Sequence, residues 1–238
     1  NFLLWIPWWI IIGVVTGIAW KVVGWRLAAV TILLTVSLGI MGLFDYAMQT
    51  LAILMVATLL SVLIGLPVGI LGAKKNKFDS FIRPVLDAMQ TMPSFVYLVP
   101  AIMLFGLGKT PAVMAVVIYS VPPIIRLTNL GIRQVDPVVI EAAEAFGSSS
   151  NQILLKVQLP MALPTIMAGL NQTIMMALAM VVIASMIGAK GLGIEVLNGL
   201  ARLEIGRGFL GGLGIVFMAV IIDRITQGLA KPRPTPTT

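Results

Sequence analysis

Residues 136–160 read DPVVIEAAEAFGSSSNQILLKVQLP. The residues up to Phe146 are mostly good helix formers, and Pro137 stands in the first turn, where a missing backbone N–H is tolerated. Gly147 then ends this helix, as glycine commonly does at a helix C-terminus. One of the three serines that follow can cap a second helix, and Pro160 marks the turn into the next apolar run. The segment is therefore predicted to form a helix–turn–helix.

The first of these two helices has a surface suited to docking. Its alanines carry little side-chain bulk, so a partner groove can close onto the helix backbone, and its two glutamates offer negative charge. A phenylalanine supplies an apolar anchor of the kind that dominates small interfaces. The residues that carry this interpretation are Glu141, Ala142, Ala143, Glu144 and Phe146. Composition alone fits an ordinary solvated amphipathic loop as well.

The chain as a whole is far too apolar for a water-soluble domain. Of its 238 residues, 59% are hydrophobic and 11% are charged, whereas soluble domains have about 45–50% and about 25%. The mean hydropathy is +1.04. The net charge is +7, but the charges fall in short clusters between long uncharged runs, which is typical of a membrane protein and not of a nucleic-acid-binding one. The chain contains neither Cys nor His, so we expect no enzyme activity, cofactor or metal in it.

Seven charge-free runs predict an all-α membrane protein with seven transmembrane helices. A helix rises about 1.5 Å per residue, so roughly 20 apolar residues cross a hydrocarbon core of about 30 Å. The fifth and seventh runs have 16 and 15 residues and are short for a full crossing. The runs are Phe2–Trp20, Leu27–Phe44, Tyr46–Ala73, Ala88–Gly108, Thr110–Ile125, Val157–Ala189 and Gly208–Ile222.

Positively charged residues predict the orientation in the membrane. If the N-terminus lies outside, twelve Lys and Arg fall in inner loops and four in outer loops, which agrees with the positive-inside rule. All five tryptophans lie within the first 25 positions, near the two ends of the first span, where interfacial belts are expected. We therefore expect a bacterial cytoplasmic membrane protein with its N-terminus outside and its C-terminus inside. The four outer residues are Lys109, Lys190, Arg202 and Arg207.

The chain divides unevenly. Residues 1–44 are expected to form two accessory spans, and residues 45–227 a core of five spans with the helix–turn–helix between its third and fourth. Residues 228–238 contain few core-forming side chains and are expected to be a disordered cytoplasmic tail. Because the chain begins at Asn1 rather than Met, we expect a leading segment before it.

Two glycine patterns have competing interpretations. Gly13 and Gly17 are four residues apart, which lets another helix approach closely, although a lipid-facing surface fits equally well. Gly206, Gly208 and Gly211 match the spacing of a dinucleotide-binding loop, but no strand precedes them and no βαβ unit surrounds them. Close helix packing at the start of the last span is the better interpretation.

The spacing within residues 141–160 is similar to the EAA loop of ABC importer permeases. The matching positions are Glu141-Ala142-Ala143, Gly147, Val157 and Leu159-Pro160, with Val157 where the family usually has Ile. The resemblance implies a methionine-permease-type (MetI-like) core of five helices and a loop that couples them to an ATPase. Residues 188–193, GAKGLG, resemble the outer Gly-Leu-Gly turn of the same family. The implied coupling residues are Glu141, Ala142, Ala143, Glu144, Phe146, Gly147, Leu159 and Pro160.

Four further segments look like the membrane subunit of glycine betaine/proline betaine importers, a group that carries quaternary amines. These segments are residues 86–100, 122–132, 156–160 and 169–173. The resemblance implies a permease that pairs with a second copy of itself and with two cytoplasmic ATPase subunits, which bind ATP and Mg. An extracytoplasmic binding protein would deliver the substrate. Choline or trimethylamine N-oxide is the alternative substrate, and a sodium-coupled carrier or a non-transporting scaffold is the alternative class.

The five-span core has too few aromatic residues for the cage that usually holds a quaternary ammonium group. Selectivity is therefore expected to reside in the binding protein, with a weakly selective path through the permease. Amides and thioethers make adaptable contacts along such a path, although ordinary helix packing explains each of them as well. The candidate path residues are Tyr97, Asn171, Gln172, Met175 and Met176.

Three lysines, Lys74, Lys75 and Lys77, lie just inside the end of the third apolar run. Such a cluster attracts anionic lipid headgroups by about 1 kcal/mol per charge. Membrane lipids are thus expected partners of this segment, although simple anchoring of the topology also explains the cluster.

Overall fold

The computed structural model of the chain describes residues 7–230, and every regular element within this range is helical. The all-α expectation is thereby confirmed for the described part of the chain. The α-helices are α1 (Trp8–Val22), α2 (Trp25–Ile40), α3 (Phe44–Lys74), α4 (Asn76–Thr91), α5 (Leu98–Phe105), α6 (Lys109–Arg133), α7 (Pro137–Ala145), α8 (Ser150–Ile153), α9 (Leu159–Ala184), α10 (Leu192–Ala201) and α11 (Ile205–Ala230).

Within residues 7–230, four helical segments are long and apolar enough to cross a membrane, or five if the bent pair Asn76–Thr91 and Ser94–Phe105 counts as one span, so the expected seven full-length spans are not confirmed. α1 and α2 have only 15 and 16 residues. At about 1.5 Å per residue they measure about 22–24 Å, which is less than the hydrocarbon core of about 30 Å. The four long segments are Phe44–Lys74, Lys109–Arg133, Ser150–Ile187 and Ile205–Ala230.

The predicted span Ala88–Gly108 is not one straight helix. α4 ends at Thr91, and a 3₁₀ turn follows at Ser94–Tyr97. The helix axis changes direction by 110° between Asn76–Thr91 and Ser94–Phe105. The cause is Pro93, because a proline disfavours the helical conformation of the residue before it. Met92 accordingly has an extended ψ of 136°.

The two runs that looked short belong to longer helices. The helix of the fifth run continues through its charged residues and reaches Arg133, so α6 has 25 residues. The helix of the seventh run begins at Ile205 and reaches Ala230. A charge ends an apolar run without ending a helix, since Lys and Arg are good helix formers. Residues 228–230 of the expected tail are thus helical, and residues 231–238 lie outside the described range.

Helices α3, α6 and α9 pack along one another at the centre of the molecule. Glycines allow this close approach: a Cβ at Gly65 would lie 2.2 Å from Ile124 Cγ2, and one at Gly69 would lie 2.8 Å from the carbonyl oxygen of Ile125. Gly13 and Gly17, in contrast, have nothing within 4 Å of a Cβ. Within the described chain no helix packs on these two glycines, so their close-approach interpretation is not supported here.

Helices α1 and α2 form a hairpin beside α11. Ile11 near the start of α1 and Leu38 near the end of α2 share one apolar cluster with Met218. At the other end of the hairpin, a Cβ on Gly228 would lie 2.3 Å from Val23 Cγ2. The hairpin therefore runs along most of α11. The tryptophans at its two ends are well exposed, as expected for interfacial belts; these are Trp8, Trp9, Trp20 and Trp25, and Trp5 lies outside the described residues.

Candidate coupling surface and transport path

The segment between α6 and α9 folds as the predicted helix–turn–helix. The N–H of Val138 donates to Asp136 Oδ1 at 2.9 Å and so caps the start of α7. Gly147 has φ +78°, and the N–H of Ser148 donates to the carbonyl oxygen of Ala143 at 3.1 Å. This left-handed glycine with a backward hydrogen bond is a Schellman motif, the expected glycine ending. The N–H of Ser149 donates to Gln152 Oε1 at 2.8 Å at the start of α8.

Helix α7 lies exposed on the surface of the protein. It has no buried residue, and Phe146, which follows directly, is 91% exposed. Glu141, Ala142, Glu144 and Gly147 are also exposed, and Ala143 is half-buried. The structure thus places the predicted docking residues on an exposed helix, with only Ala143 partly covered.

An apolar ridge on α7 was not predicted. Val138, Ala142 and Phe146 are exposed and are spaced four residues apart, so they lie in one row along the helix. At about 100° per residue, Glu141 lies to one side of this row and Glu144 lies on the far side of the helix. The i, i+4 spacing of these three residues is a sequence signal that could have revealed the ridge.

The second helix of the segment is anchored in the core. Ile153 and Leu154 are buried, and Leu154 packs in one cluster with Leu86 and Ile125. Lys74 Nζ at the end of α3 lies 3.3 Å from Asn151 Oδ1. The segment therefore combines an exposed helix with a firmly packed root.

No turn occurs at Pro160, contrary to the prediction. Helix α8 continues through a π-helical segment, Leu154–Gln158, directly into α9, so that residues 150–187 form one helical run. A proline lacks an N–H and normally collides with the carbonyl four residues earlier. The wider π-helical turns before Pro160 relieve this conflict. Leu159 and Pro160 thus lie at the root of the long helix and not on the exposed surface of α7.

A buried carboxylate ties together the helices that carry the segment. The side chain of Asp79 on α4 is only 6% exposed. It accepts a hydrogen bond from Asn129 Nδ2 at 2.5 Å and pairs with Arg83 at 2.6 Å and Arg133 at 3.4 Å. Arg133 also donates to the carbonyl oxygen of Gly72 at 2.8 Å. This cluster joins α3, α4 and α6 just before α7 begins.

The Asp79 cluster was not predicted from the sequence. Arg83 is only four positions from Asp79, but Asn129 and Arg133 are at least fifty positions away, and no local motif links them to Asp79. They line a cleft of about 440 Å³ between α4 and α6, together with Asp87 and Arg126, which form a salt bridge. Among the described residues, no group of three or more potential metal ligands occurs.

The Gly-Leu-Gly turn packs tightly on α3 at the opposite end of the molecule. A Cβ on Gly191 would lie 2.4 Å from Thr50 Oγ1, and the N–H of Leu192 donates to the same oxygen at 2.8 Å. A Cβ on Gly193 would lie 2.8 Å from Val182 Cα. The resemblance noted for residues 188–193 thus falls on a turn that requires glycine for steric reasons.

Of the three glycines that match a dinucleotide-binding loop, Gly208 and Gly211 serve helix packing as expected, whereas nothing lies within 4 Å of a Cβ on Gly206. A Cβ on Gly199 of α10 would lie 2.3 Å from the backbone nitrogen of Gly208. Gly211 lies against Val196, and its Cβ would come within 3.0 Å of that backbone nitrogen. Nearby, Arg207 forms two hydrogen bonds with the carboxylate of Glu195, and these hold the pKa of Glu195 below its ordinary value although burial opposes the effect.

The five candidate path residues are not gathered around one cavity. Tyr97 is buried, packs edge-to-face on Tyr119 with ring centres 5.5 Å apart, and donates to the carbonyl oxygen of Met89. Asn171 Nδ2 donates to Asp223 Oδ1 at 2.9 Å. Both side chains are thus engaged within the protomer. The other three share one face of α9, on which Gln172 is exposed and Met175 and Met176 are half-buried.

The geometry defines a membrane component with an exposed helix–turn–helix, and comparison with known families agrees. The family described as binding-protein-dependent transport system inner membrane component matches residues 65–231. The chain therefore belongs to this family, which confirms the resemblance seen in its EAA-like loop. It is a multi-pass protein of an inner membrane.

Several individual transport permeases are similar in sequence to most of this chain. The chain is 52% identical over 214 residues to the glycine betaine/proline betaine transport system permease protein ProW of Escherichia coli (strain K12), covering 90% of this chain and 60% of ProW. It is 48% identical over 228 residues to the glycine betaine/carnitine transport permease protein GbuB of Listeria monocytogenes, covering 94% of this chain and 81% of GbuB. The trimethylamine N-oxide transport system permease protein TmoV of Ruegeria pomeroyi is 40% identical, covering 96% of this chain and 35% of TmoV.

Solved structures agree with the assignment of the fold. An inward-facing MetNI methionine ABC transporter matches with a TM-score of 0.67 and 24% identity, covering 79% of this chain and 92% of the matched chain. At this identity the likeness shows the fold alone. It confirms the expectation of a methionine-permease-type fold.

Proposed function

We propose that this chain is the membrane-spanning permease of an ATP-driven importer for glycine betaine and proline betaine-type solutes. The observation that carries the proposal is the 52% and 48% identity to two permeases that are named for glycine betaine. Relatives of this kind are permeases and not enzymes, and ATP hydrolysis with Mg belongs to separate ATPase subunits. Since the chain spans only 60% of the length of ProW, its substrate and partners remain part of the proposal.

Coupling to the ATPase occurs through α7. The exposed row of Val138, Ala142 and Phe146 fits an apolar groove. Glu141 to one side of the row and Glu144 on the far side of α7 attract basic residues around that groove. The half-buried Ala143 leaves room for close approach, and Gly147 sets the angle to α8. Since α8 continues into α9 through the root at Leu159 and Pro160, a push on α7 moves a whole membrane-spanning helix.

The functional importer contains two copies of this chain, two cytoplasmic ATPase subunits and an extracytoplasmic binding protein. The accessory hairpin of α1 and α2 lies within residues 1–44, and residues 45–227 form the core. The N-terminus lies outside and the C-terminus inside. Charge supports this orientation, because the hairpin turn with Lys21 and Arg26 lies beside the end of α11, at the end of the molecule where most Lys and Arg lie.

The transport path follows the exposed face of α9. Gln172 is the polar exposed residue of this face, and Ala168 and Ala179 on either side of it are small and exposed. Met175 and Met176 flank the face. Tyr97 and Asn171 act from behind it by fixing neighbouring helices, since their polar atoms already bind Met89 and Asp223. A second copy of the chain closes the path.

Three alternatives differ in energy source, in transport activity or in substrate. A sodium-coupled carrier needs no ATPase, and a scaffold transports nothing. A choline or trimethylamine N-oxide permease would keep the same machinery, and the 40% identity to TmoV is the observation that favours it. The higher identity to two glycine betaine permeases favours the main proposal.

Reconstitution tests the proposal. The permease is placed in vesicles with its cognate ATPase inside and its binding protein outside, and uptake of labelled glycine betaine is measured with and without internal ATP. We expect ATP-dependent uptake that unlabelled proline betaine inhibits more strongly than choline or trimethylamine N-oxide. Uptake driven by a sodium gradient in vesicles without the ATPase would contradict the proposal, and so would ATP-dependent uptake of choline alone.

A further inference from the structure

Helix α4 has three distinct faces. Ile82, Leu86 and Met89 pack on the core, and Asp79 is buried beside them. At about 100° per residue, the polar side chains begin next to Asp79 and continue round the helix as far as Lys77. The polar set is Lys77, Ser80, Arg83, Asp87 and Gln90.

The third face of α4 is apolar and uncovered. It lies between the core face and the polar face, and it carries Phe81, which is 71% exposed, and Val85, which is 44% exposed. Met92, directly after the helix, continues this line and is 40% exposed. No described part of the chain covers these side chains. A helix with a core side, an apolar free side and a polar free side fits a boundary between water and lipid.

The angle of α4 to its neighbour supports this interpretation. The following helix, α5, contains only apolar residues and is bent from α4 by 110°. Met103 and Leu104 on α5 are largely exposed, as expected for a helix surrounded by lipid. If α5 enters the membrane, α4 lies nearly in the membrane plane.

Positive charge lies beside the apolar face. Lys74, Lys75 and Lys77 are exposed where α3 meets α4, and Lys74 reaches Asn151. Within residues 7–230, Lys75 and Lys77 have no salt-bridge partner. Lys77 precedes Phe81 by four residues and therefore lies on the same side of the helix. An amphipathic helix with lysines next to its apolar face is attracted to anionic lipid.

We infer that α4 is an interfacial helix that binds an anionic phospholipid surface. Phe81 and Val85 insert among the acyl chains of the leaflet on the side of α7, and Lys75 and Lys77 bind the negatively charged headgroups. This contact is independent of the transported solute.

Spin labels test the insertion. The chain has no Cys, so Phe81→Cys and Val85→Cys each carry one nitroxide, and Ser80→Cys and Gln90→Cys serve as matched controls on the polar face. The labelled protein is placed in vesicles of phosphatidylglycerol and phosphatidylcholine. We expect the nitroxides at residues 81 and 85 to be relaxed mainly by oxygen, which concentrates in lipid. The nitroxides at residues 80 and 90 should be relaxed mainly by a water-soluble nickel complex. Equal access of the nickel complex to residues 81 and 80 overturns the inference. Shielding of residue 81 from both reagents also overturns it, since a second copy or another protein then covers this face.

Lipid retention tests the charge. Full-length protein is extracted from the same vesicles, and the bound ratio of phosphatidylglycerol to phosphatidylcholine is measured by mass spectrometry. We expect Lys75→Gln with Lys77→Gln to lower this ratio at least twofold, and Lys190→Gln, an exposed lysine at the opposite end of the molecule, to leave it unchanged. An unchanged ratio in the double variant overturns the headgroup contact.

Discussion

Arg207 holds the carboxylate of Glu195 with two hydrogen bonds, Nε to Oε2 at 2.7 Å and Nη2 to Oε1 at 3.1 Å. The side chain of Glu195 is only 8% exposed. The pair joins α10 to the first turn of α11, where the two helices already meet through Gly199 and Gly208. Because the ionised carboxylate of Glu195 has little contact with water, its stability depends on Arg207. Protonation of Glu195 removes that charge, so the contact is sensitive to pH.

The stability of the protein should therefore fall in acid through Glu195. Arg207 holds the pKa of Glu195 below its ordinary value of 4.5. A carboxyl with a lowered pKa in the folded state adds stability above its unfolded pKa and loses it as the pH falls through the folded pKa. We expect the thermal unfolding midpoint in detergent to drop below about pH 4.5 in the wild type, and to drop less in Glu195→Gln. The control is Glu204→Gln, since Glu204 is more exposed and makes one contact of 3.4 Å with Arg207. An identical acid response of wild type and Glu195→Gln would contradict this prediction.

Replacing Gly191 with Ala should destabilise the outer turn. The new Cβ would lie 2.4 Å from Thr50 Oγ1 and would displace the hydroxyl that accepts from Leu192. Forced overpacking of this kind costs about 1–3 kcal/mol, so the unfolding midpoint should decrease. Gly212→Ala is the matched control, because nothing lies within 4 Å of a Cβ there. Equal midpoints for the two variants would show that the turn adapts without cost.

Changes in α7 and at the glycine that ends it should impair both transport and the ATP hydrolysis that the substrate stimulates. Gly147→Val strains a residue at φ +78° by about 1–2 kcal/mol and misdirects α8. Ala143→Trp holds the docking surfaces apart, and Glu141→Lys reverses the charge beside the apolar row. We expect all three variants to insert and dimerise normally but to lose uptake and substrate-stimulated ATP hydrolysis together in reconstituted vesicles.

The control for backbone strain is Gly106→Val at the opposite end of the molecule. Gly106 has φ +72° and nothing within 4 Å of a Cβ, so it matches Gly147 in both respects. Gly106→Val should retain the wild-type rates of uptake and of substrate-stimulated ATP hydrolysis. If all three α7 variants transport at the wild-type rate, α7 is not the coupling element.

Removal of Asp79 should loosen the corner between α3, α4 and α6. Asp79→Ala leaves Arg133 and Asn129 without their buried acceptor, and loss of one partner from such a cluster costs at least about 2 kcal/mol. Asp87→Ala is the control, since Asp87 is 64% exposed in its pair with Arg126 and an exposed pair contributes less than about 1 kcal/mol. We expect the unfolding midpoint of Asp79→Ala to lie clearly below that of Asp87→Ala. The reverse order would mean that the buried cluster does not hold this corner.

Single cysteines should reveal the orientation. The chain contains no Cys, so one introduced thiol is unique. A thiol at Lys190 should react with a membrane-impermeant maleimide in intact cells, and one at Ser149 should react only after the membrane is opened. Both positions are exposed, so access from the correct side is the deciding factor. Labelling of Ser149 in intact cells would reverse the orientation proposed from the charge distribution.

The segment around α7 was predictable because its signals are local. Pro137 and Gly147 act on their own turns, and a serine cap acts within four residues. The end of the second helix was not predictable from Pro160 alone, since the π-helical turns before it depend on Ile153 and Leu154 being held in the core. The seven full-length spans are not confirmed for a related reason. Hydropathy marks apolar runs, but Pro93 and the turn after Val22 decide where the helices bend or end.

The sequence by itself determined the membrane character, the helix–turn–helix and the family, because composition and short-range spacing suffice for all three. Only the tertiary structure decided which polar groups meet. Asp79 and Asn129 are 50 positions apart, and Asn171 and Asp223 are 52 positions apart. No local pattern in the sequence pairs them. Their pairing follows from the close approach of the central helices, which glycines such as Gly65 and Gly69 allow. A single sequence does not specify such contacts, since they depend on how separate helices pack in three dimensions.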